Sequence, residues 1–354
     1  LGKVTMASGA APTEVKYSKF TQQELPACKP LLTPKWVITT FCMIGVVFVP
    51  IGAICLQASN SVVEVRKRYD HTCFPTDSKS WSAEKREAEL MKGEGNGVTC
   101  VETMEIPEDM DAPVYVYYDL DNFFQNHRRY VKSRSDPQLR GESVAASSLA
   151  ACDPKRYIND DKTAHPDPVN PCGLVAWSYF NDTYSFTIGS GGAVEALDVD
   201  ETGIAWKSDV EDKYSDHNAT GLNTIPAYRG GGTVQGPLNQ DEHFVVWMRT
   251  AALPNFRKLW GKIDRDLKKG DVVSVAISNR YNTYRFDGKK YVVLSTTSWL
   301  GGKNDFLGVA YLVVGCICFL LGLAFFLVHW RHPRQLGDVT YLSWNKKHLA
   351  SASG

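Results

Sequence analysis

Two uninterrupted apolar blocks stand out from a chain that otherwise mixes polar and apolar residues. They run from Trp36 to Leu56 and from Phe306 to Trp330, and neither contains Asp, Glu, Lys or Arg. A bilayer core about 30 Å thick is spanned by roughly 20 helical residues, and a helix satisfies its own backbone hydrogen bonds there. The pattern therefore predicts transmembrane helices over residues 36–56 and 306–330, with tryptophans placed where indole rings favour the membrane interface.

The segment between the two spans, residues 57–305, has the pattern of a folded domain. Short runs rich in β-branched and aromatic residues predict an antiparallel sheet. The predicted strands are Val114–Tyr118, Gly203–Trp206, His243–Met248, Val272–Ser278, Tyr281–Phe286 and Tyr291–Thr297. We therefore expect an integral membrane protein with two transmembrane α-helices and a large α+β ectodomain that has an antiparallel β core.

Helices and loops are predicted between these strands. One helix is expected over Asn122–Val131, and another begins at Pro254 and ends at Gly270 after two lysines. The apolar stripe of the second helix is predicted to face the core and consists of Phe256, Leu259, Trp260, Ile263 and Leu267. Asp153–Pro171, Gly189–Gly192 and Gly230–Gly232 have loop composition.

Composition narrows the class of protein. The chain has 44% hydrophobic residues, 22% charged residues and a formal charge of zero. This balance disfavours a largely disordered chain, a nucleic-acid-binding protein and a disulfide miniprotein. Acidic residues are in excess between the spans, whereas residues 1–35 and 331–354 carry a basic excess. Basic tails favour the anionic cytosolic face of a membrane.

Cysteine usage indicates which side of the membrane the ectodomain occupies. Four cysteines lie between the spans, at positions 73, 100, 152 and 172. An even number there is typical of disulfides in an oxidising compartment. Of three possible connectivities we favour the sequential one, Cys73 with Cys100 and Cys152 with Cys172, because each pair brackets a stretch rich in Pro, Gly or Asp. A four-cysteine metal site is disfavoured, since the close pairing of ligands is missing.

Two glycosylation acceptors, Asn181 and Asn218, lie in the same segment as these cysteines. Together they predict a lumenal or extracellular ectodomain, residues 57–305, with the N-terminal tail 1–35 and the C-terminal tail 331–354 both cytosolic. Mostly polar residues precede the first span, so we expect it to act as an uncleaved signal anchor.

Motifs for chemistry are largely missing. Asp161–Ala164 resembles the start of the phosphorylation loop of P-type ATPases but lacks its following Gly and Thr, and Asp119–Asn122 lacks the later residues of a calcium loop. Neither a phosphate-binding loop nor a nucleophile elbow nor a zinc-protease motif is found. We therefore predict no catalytic residue, no cofactor and no metal. An active site assembled from residues distant in sequence is left open.

Small residues recur on one face of each predicted span. Gly308, Gly315 and Gly322 are seven residues apart, and Gly45 and Gly52 repeat that spacing. Such a stripe permits close helix contact, either between the two spans or with a partner, although glycine is also generally common in membrane helices. The only ionisable group in the spans is a histidine near the end of the second, so the chain is not expected to transport anything alone.

Several long segments resemble the ligand-effect modulator family, also called the cell division control protein 50 family. They are Phe20–Ile38, Val114–Arg134, Pro171–Tyr184, Gly203–Asp209, Val245–Trp260 and Ser295–Tyr311. The resemblance is nearest to the plant ALA-interacting subunits and extends from Tyr17 to Lys347. Members of this family are accessory, or β, subunits of the type IV P-type ATPases that flip phospholipids.

This resemblance implies a partner. It implies that the chain forms a heterodimer with a flippase catalytic subunit, is needed for the exit of that subunit from the endoplasmic reticulum, and supports its transport cycle. The expected membranes are the endoplasmic reticulum, the Golgi and a post-Golgi or plasma membrane. The ectodomain is expected to cover the exoplasmic loops of the partner, and the N-terminal tail to follow its cytosolic face.

Individual positions carry over as well. The tail residues expected to contact the partner are Phe20, Leu25, Pro26, Pro30, Leu32 and Pro34. The four ectodomain cysteines match paired cysteines of the family, and Asn181 matches a glycosylation position, whereas Asn218 matches none. Some members have an additional disulfide that is missing here, which leaves the connectivity open.

The resulting hypothesis is a non-catalytic β-subunit of a lipid flippase, with the ATP chemistry and the lipid path in the partner. The alternative is a membrane-anchored ectodomain that acts as an independent receptor or enzyme. The cytosolic tail discriminates between them, because an independent receptor has little use for a tail segment that grips a cytosolic surface.

Overall fold

The computed structural model describes residues 18–20, 22–25, 33–74, 81–92, 97–190 and 193–333. These residues fall into two compact units, one formed by most of the two long helices and the other by Ala53–Val309. The helices are α1 (Pro34–Asn60), α2 (Ala83–Leu90), α3 (Arg128–Lys132), α4 (Asp136–Leu139), α5 (Leu174–Trp177), α6 (Lys207–Asp212), α7 (Glu242–Met248) and α8 (Asp305–Arg331).

The two predicted spans lie inside α1 and α8. Both helices are 27 residues long and are apolar enough to cross a membrane, and little of either is buried within the protein. Isolated helices in water are rarely so long and so apolar, whereas a bilayer requires that length. The chain is therefore an integral membrane protein.

Eight described strands form two antiparallel sheets of four strands each. The strands are β1 (Glu64–Arg68), β2 (Val98–Glu105), β3 (Val114–Asp121), β4 (Thr183–Ser190), β5 (Ala193–Leu197), β6 (Phe256–Ile263), β7 (Val272–Asn279) and β8 (Lys289–Ser295). One sheet has the order β1-β8-β3-β6 and the other β2-β7-β4-β5. The predicted α+β ectodomain with an antiparallel β core is confirmed.

A single hydrophobic cluster joins the two sheets. Residues of β3 alternate strictly between buried and half-buried positions, and their buried set meets that of β7 in the other sheet. This alternation is the signature of strands with one face on a core. Long excursions between β3 and β4 and between β5 and β6 carry the short helices α3–α7, whereas α2 lies between β1 and β2.

The predicted helix from Pro254 to Gly270 is wrong, because this segment forms β6 and a loop. Trp260 has no partner in the register with β3, which marks a bulge. A bulge shifts the inward-facing set by one position, so Trp260, Gly261 and Ile263 are all buried. The interrupted alternation imitates the three- and four-residue spacing of a helix.

The strand predicted at His243–Met248 is also wrong, because this segment forms the helix α7. The carboxylate of Asp241 caps this helix by accepting a hydrogen bond from the Phe244 N–H at 2.9 Å. An Asp cap satisfies one of the free N–H groups of the first turn. The segment also contains a β-branched run, which is typical of a strand, and the sequence prediction followed that run despite the cap.

Three further predictions are corrected. Gly203–Trp206 contains no strand, because its backbone N–H groups bind the carboxylate of Glu242. Tyr281–Phe286 ends in a 3₁₀ turn, and the helix predicted over Asn122–Val131 is reduced to α3. Asn122 has a φ of 64°, which a right-handed helix does not allow.

The strands predicted at Val114–Tyr118 and Val272–Ser278 are confirmed within β3 and β7, and Tyr291–Thr297 overlaps β8. Besides β6, which was predicted as a helix, four strands were missed: β1, β2, β4 and β5. The missed β1 reads Glu-Val-Arg-Lys-Arg, and its charge concealed a strand whose full length pairs with β8. Gly189, predicted as a loop residue, belongs to β4, whereas Gly191 and Gly192 lie outside the described residues.

Candidate partner-binding surfaces

The glycine stripe packs α1 and α8 against each other. A Cβ atom on Gly315 would lie 2.8 Å from Val49 Cγ2, and one on Gly322 would lie 3.1 Å from Cys42 Sγ. A Cβ on Gly45 would lie 2.8 Å from the Phe319 ring. Small residues at these positions let the two backbones approach closely, as is typical of membrane helix pairs.

The stripe continues to the ends of the predicted spans that adjoin the ectodomain. A Cβ on Gly308 would lie 2.8 Å from the backbone nitrogen of Leu56. Gly52 is likewise buried. Because backbone cannot move aside as a side chain can, Gly308 is the tightest of these contacts.

The remaining faces of both helices are apolar and exposed. Trp36, at the start of α1, and Trp330, at the end of α8, are 69% and 77% exposed. Other exposed side chains are Met43, Val46, Val47 and Ile54 in α1 and Val313, Ile317, Leu320, Leu323 and Phe326 in α8. These faces are available to lipid or to the membrane helices of a partner.

The N-terminal tail is described only in part. Hydrogen-bonded turns connect residues 18–20 and 22–25, and the side chains of Phe20 and Leu25 are exposed. Pro34 is the first residue of α1, where proline is well tolerated. The predicted contacts Pro26, Pro30 and Leu32 lie outside the described residues.

The structure joins Cys73 to Cys100 and Cys152 to Cys172, which is the sequential connectivity. The first bridge links the segment after β1 to β2. The second lies within the excursion between β3 and β4, and both of its cysteines are fully buried. Each disulfide therefore ties a region of sparse secondary structure to the domain.

The two predicted glycosylation acceptors differ in exposure. Asn218 is exposed, next to a backbone bridge with Pro237. Asn181 is half-buried at the start of β4, and its Oδ1 atom is buried without a hydrogen-bond partner among the described residues.

A buried ion pair connects the two sheets. The ammonium of Lys290, on β8, donates to Asp182 Oδ2 at 2.6 Å, and both side chains are 0% exposed. Asp182 also accepts from the Tyr69 hydroxyl at 2.8 Å and from the backbone N–H of Tyr281 at 2.6 Å. Burial lowers the pKa of Lys290, and the charge of Asp182 opposes this shift. The ammonium also donates to Asn279 Oδ1 and to the Tyr281 backbone oxygen, so both buried charges are hydrogen-bonded, as they need to be.

A second buried lysine caps the C-terminal end of α7. Lys258, on β6, donates hydrogen bonds to the backbone oxygens of Val246, Trp247 and Arg249 at 2.6–2.9 Å. These are carbonyls of the last helical turn, which have no intrahelical partner. Burial, and secondly the nearby Arg249, lower the pKa of Lys258 to about 7.

An exposed apolar patch surrounds the segment that follows α7. Its members are Phe124, Trp206 and Leu253, which are 55%, 65% and 67% exposed. The Arg249 guanidinium lies 4.7 Å from the centroid of the Trp206 ring and pairs with Asp209 at 3.1 Å. Backbone and side-chain hydrogen bonds tie the Phe124 loop to residues 251–254. We refer to Phe124, Trp206 and Leu253 as the apolar patch, which Arg249 adjoins.

Sequence reasoning found the disulfides, the sequons and the helix contacts, but it missed both buried lysines and the apolar patch. Lys258 lies outside the apolar stripe predicted for its segment, and Lys290 directly precedes the predicted strand Tyr291–Thr297, so the apolar pattern marked neither lysine as buried. Among residues that the structure describes, no group of His, Cys, Asp and Glu side chains has the arrangement of a metal site.

Comparison with known proteins covers nearly the whole chain. Residues 55–335 match the profile of the LEM3 (ligand-effect modulator 3) family / CDC50 family. ALA-interacting subunit 3 of Arabidopsis thaliana is 51% identical over 333 residues, which cover 94% of this chain and 90% of the relative.

More distant relatives extend beyond plants. Cell cycle control protein 50A of Bos taurus is 36% identical, with 91% of each chain covered. The phospholipid-transporting ATPase accessory subunit CDC50 of Chaetomium thermophilum is 31% identical, with 92% of this chain and 90% of the relative covered. The match therefore includes the ectodomain and both long helices.

Proposed function

Because the chain belongs to the LEM3/CDC50 family, we propose that it is the non-catalytic accessory (β) subunit of a phospholipid-transporting P-type ATPase. The observation that carries the proposal is the full-length similarity to a relative named as an accessory subunit of such an ATPase. The chain would form a heterodimer with the catalytic subunit. Assembly, exit from the endoplasmic reticulum and conformational support would be its contributions.

The helix pair supports a helper role. The small residues of each span pack against the other span, so the two spans form one unit whose outer faces are apolar. A lipid headgroup path through the bilayer is expected to use charged side chains, whereas residues 36–56 and 306–330 contain no Asp, Glu, Lys or Arg and one histidine, His329, near the end of α8. ATP hydrolysis and the headgroup path accordingly belong to the partner in this proposal.

We place the ectodomain in the lumen or outside the cell, with residues 1–35 and 331–354 in the cytosol. The two disulfides support this orientation, because such bonds persist in oxidising compartments. Asn181 and Asn218 would then carry glycans. The proposed route is from the endoplasmic reticulum through the Golgi to a post-Golgi or plasma membrane.

Two surfaces are proposed to contact the catalytic subunit. The first is the cytosolic tail, including Phe20, Leu25 and Pro34, together with Pro26, Pro30 and Leu32. The second is the apolar patch of the ectodomain. Exposed Trp and Arg side chains that contact each other are typical of the residues that dominate protein interfaces.

Co-expression with candidate type IV ATPases tests the proposal. We expect the chain to co-purify with one of them and to increase its lipid-stimulated ATP hydrolysis. Trp206→Ala should reduce co-purification by about tenfold, a typical effect at an interface hot spot, and should leave the fold intact because the side chain is exposed. Val101→Ala, at an exposed position on β2, is the matched control.

A chain that never co-purifies with an ATPase and leaves ATP hydrolysis unchanged would favour the independent receptor or enzyme instead. Normal binding by Trp206→Ala would contradict the role of the apolar patch alone.

A further inference from the structure

A cavity of about 590 Å³ opens in the ectodomain beside the acceptor asparagine Asn181. Its wall includes the rings of Tyr184 and Trp260, the carboxylates of Glu201 and Asp241, and the imidazole of His243. The volume lies in the range of small-ligand sites. Rings combined with carboxylates and amides offer both apolar faces and hydrogen-bonding groups, which a polyhydroxyl ring needs.

Three polar atoms in this wall are buried without a hydrogen-bond partner among the described residues. They are Trp260 Nε1, His243 Nδ1 and Asn181 Oδ1. Trp260 is only 6% exposed, yet its indole N–H donates to no described group. Most buried polar groups in proteins are hydrogen-bonded, so three exceptions in one cavity call for a common explanation.

The surroundings hold these groups in place. The rings of Trp260 and Tyr184 meet edge to face at a centroid distance of 5.0 Å, and those of Trp260 and His243 lie 4.1 Å apart. His243 Nε2 lies 2.8 Å from Glu201 Oε2, which fixes the orientation of the imidazole. The site is therefore preformed.

A glycine-rich segment packs closely against Tyr179 and Asn181. A Cβ on Gly231 would lie 1.9 Å from the Tyr179 backbone oxygen, and one on Gly232 would lie 3.0 Å from Asn181 Cβ. Any side chain at Gly231 would clash with backbone. Of these two glycines, Gly232 lines the cavity and contacts the acceptor residue directly.

We propose that the N-acetylglucosamine core of a glycan on Asn181 occupies this cavity and hydrogen-bonds to Trp260 and His243. This inference rests on the lumenal orientation in the proposed function. In the modification, Asn181 Nδ2 forms a bond to the anomeric carbon of N-acetylglucosamine and loses one proton. The bond that breaks joins that carbon to a lipid pyrophosphate carrier, which leaves.

The geometry allows the sugar core to reach the rings. Asn181, Tyr184 and Trp260 line the same cavity, and the Tyr184 ring contacts Trp260. The second acceptor, Asn218, is exposed and does not line this cavity. A glycan on Asn218 would not occupy this cavity, so Asn218 is an internal control.

Native deglycosylation tests the inference directly. The full chain, purified with its partner from a mammalian or yeast host, is treated with peptide:N-glycosidase F, and occupancy of each site is followed by mass spectrometry. Release at Asn181 should be about tenfold slower than at Asn218, because local opening must precede cleavage. After denaturation the two rates should become equal.

Trp260→Phe keeps the ring and removes only the N–H donor. We expect it to accelerate native release at Asn181 about fivefold, the equivalent of one hydrogen bond worth about 1 kcal/mol, and to leave release at Asn218 unchanged. Thr183→Val, which destroys the acceptor motif, should lower the thermal midpoint relative to Thr183→Ser, which retains it. That difference should shrink when Trp260→Phe is also present.

The outcomes separate the two proposals. If both asparagines carry glycans and these are released equally fast from the native protein, the proposal that the Asn181 glycan occupies the cavity is wrong. The proposed function as a flippase subunit is unaffected by that result. An unchanged rate in Trp260→Phe would also overturn the proposal that the glycan occupies the cavity. A chain without a glycan at either site would contradict the lumenal orientation and this inference together.

Discussion

Buried lysines are the individual side chains on which this ectodomain most depends. Lys290, on β8, donates to acceptors beside strands of the other sheet, among them Asp182 just before β4 and the backbone oxygen of Tyr281 just after β7, both at 2.6 Å. A buried ion pair is costly to form, and replacing both partners with apolar groups can be neutral. Removing one partner is different, because the other is left as an uncompensated charge.

Lys290→Met should therefore lower the free energy of unfolding by about 3–5 kcal/mol. The double variant Lys290→Met/Asp182→Asn should recover part of this loss, since the unpaired carboxylate is then neutral. Chemical denaturation of the detergent-solubilised chain measures both. A single variant as stable as the wild type would contradict the assigned role of the pair.

Lys258 should make stability depend on pH. Its pKa is about 7 in the folded chain and 10.5 ordinarily, so between these values the unfolded chain binds a proton that the folded chain does not. Stability must then rise with pH in that window. The free energy of unfolding of the wild type, relative to that of Lys258→Met, should therefore increase by at most about 1.4 kcal/mol per pH unit above pH 7.

Denaturation curves at several pH values, with Lys262→Met on the same strand as the control, measure this difference. A constant gap between wild type and Lys258→Met across the window would rule out the pKa assigned to Lys258.

Among the secondary-structure elements, α1 and α8 show how closely sequence and packing are linked. Their glycines form a graded series, because the nearest atom to an added Cβ is backbone at Gly308 but a cysteine sulfur at Gly322. A sulfur on a side chain can move by a few tenths of an ångström, whereas the helix backbone at Leu56 cannot.

Gly308→Val should accordingly destabilise the helix pair by about 1–3 kcal/mol, the usual cost of overpacking. Gly322→Ala should cost much less. Thermal unfolding in detergent, followed by size-exclusion chromatography, ranks the two variants. Equal midpoints for both would mean that the stripe does not mediate the contact between α1 and α8.

The whole molecule combines a membrane hairpin with an ectodomain that two disulfides hold together. The bridges close loops with sequence separations of 27 and 20, and each constrains a part of the chain with few strands. In the chain-entropy account, closing such loops stabilises the fold by about 3 kcal/mol each. That is a large share of the stability of an ordinary domain.

Cys152→Ser should thus reduce stability by about 3 kcal/mol and retain the chain and its partner in the endoplasmic reticulum. Fractionation of cells that co-express the two subunits reports the location. Cys316→Ala, at an exposed cysteine of α8, is the control and should leave delivery normal. Normal delivery of Cys152→Ser as well would argue against a structural need for this bridge.

Sequence alone was sufficient wherever the deciding physics is local. The two apolar blocks required helices because a membrane leaves no other way to satisfy a single segment's backbone. Strands with a regular alternation of apolar and polar positions, such as β3, were also predicted correctly, because that pattern is local to the strand. The spacing of the glycines indicated a contact stripe, although it left open whether the stripe serves the other span or a partner.

Contacts between distant segments decided the rest. The bulge in β6 depends on its register with β3, and β1 is a strand because β8 pairs with it despite its charges. Lys258 is buried because the end of α7, an earlier segment, supplies three carbonyls for it. The chain pattern fixes which segments are membrane-spanning or extended, whereas hydrogen-bond partners far along the chain determine which polar side chains can be buried, and those partners exist only in the folded protein.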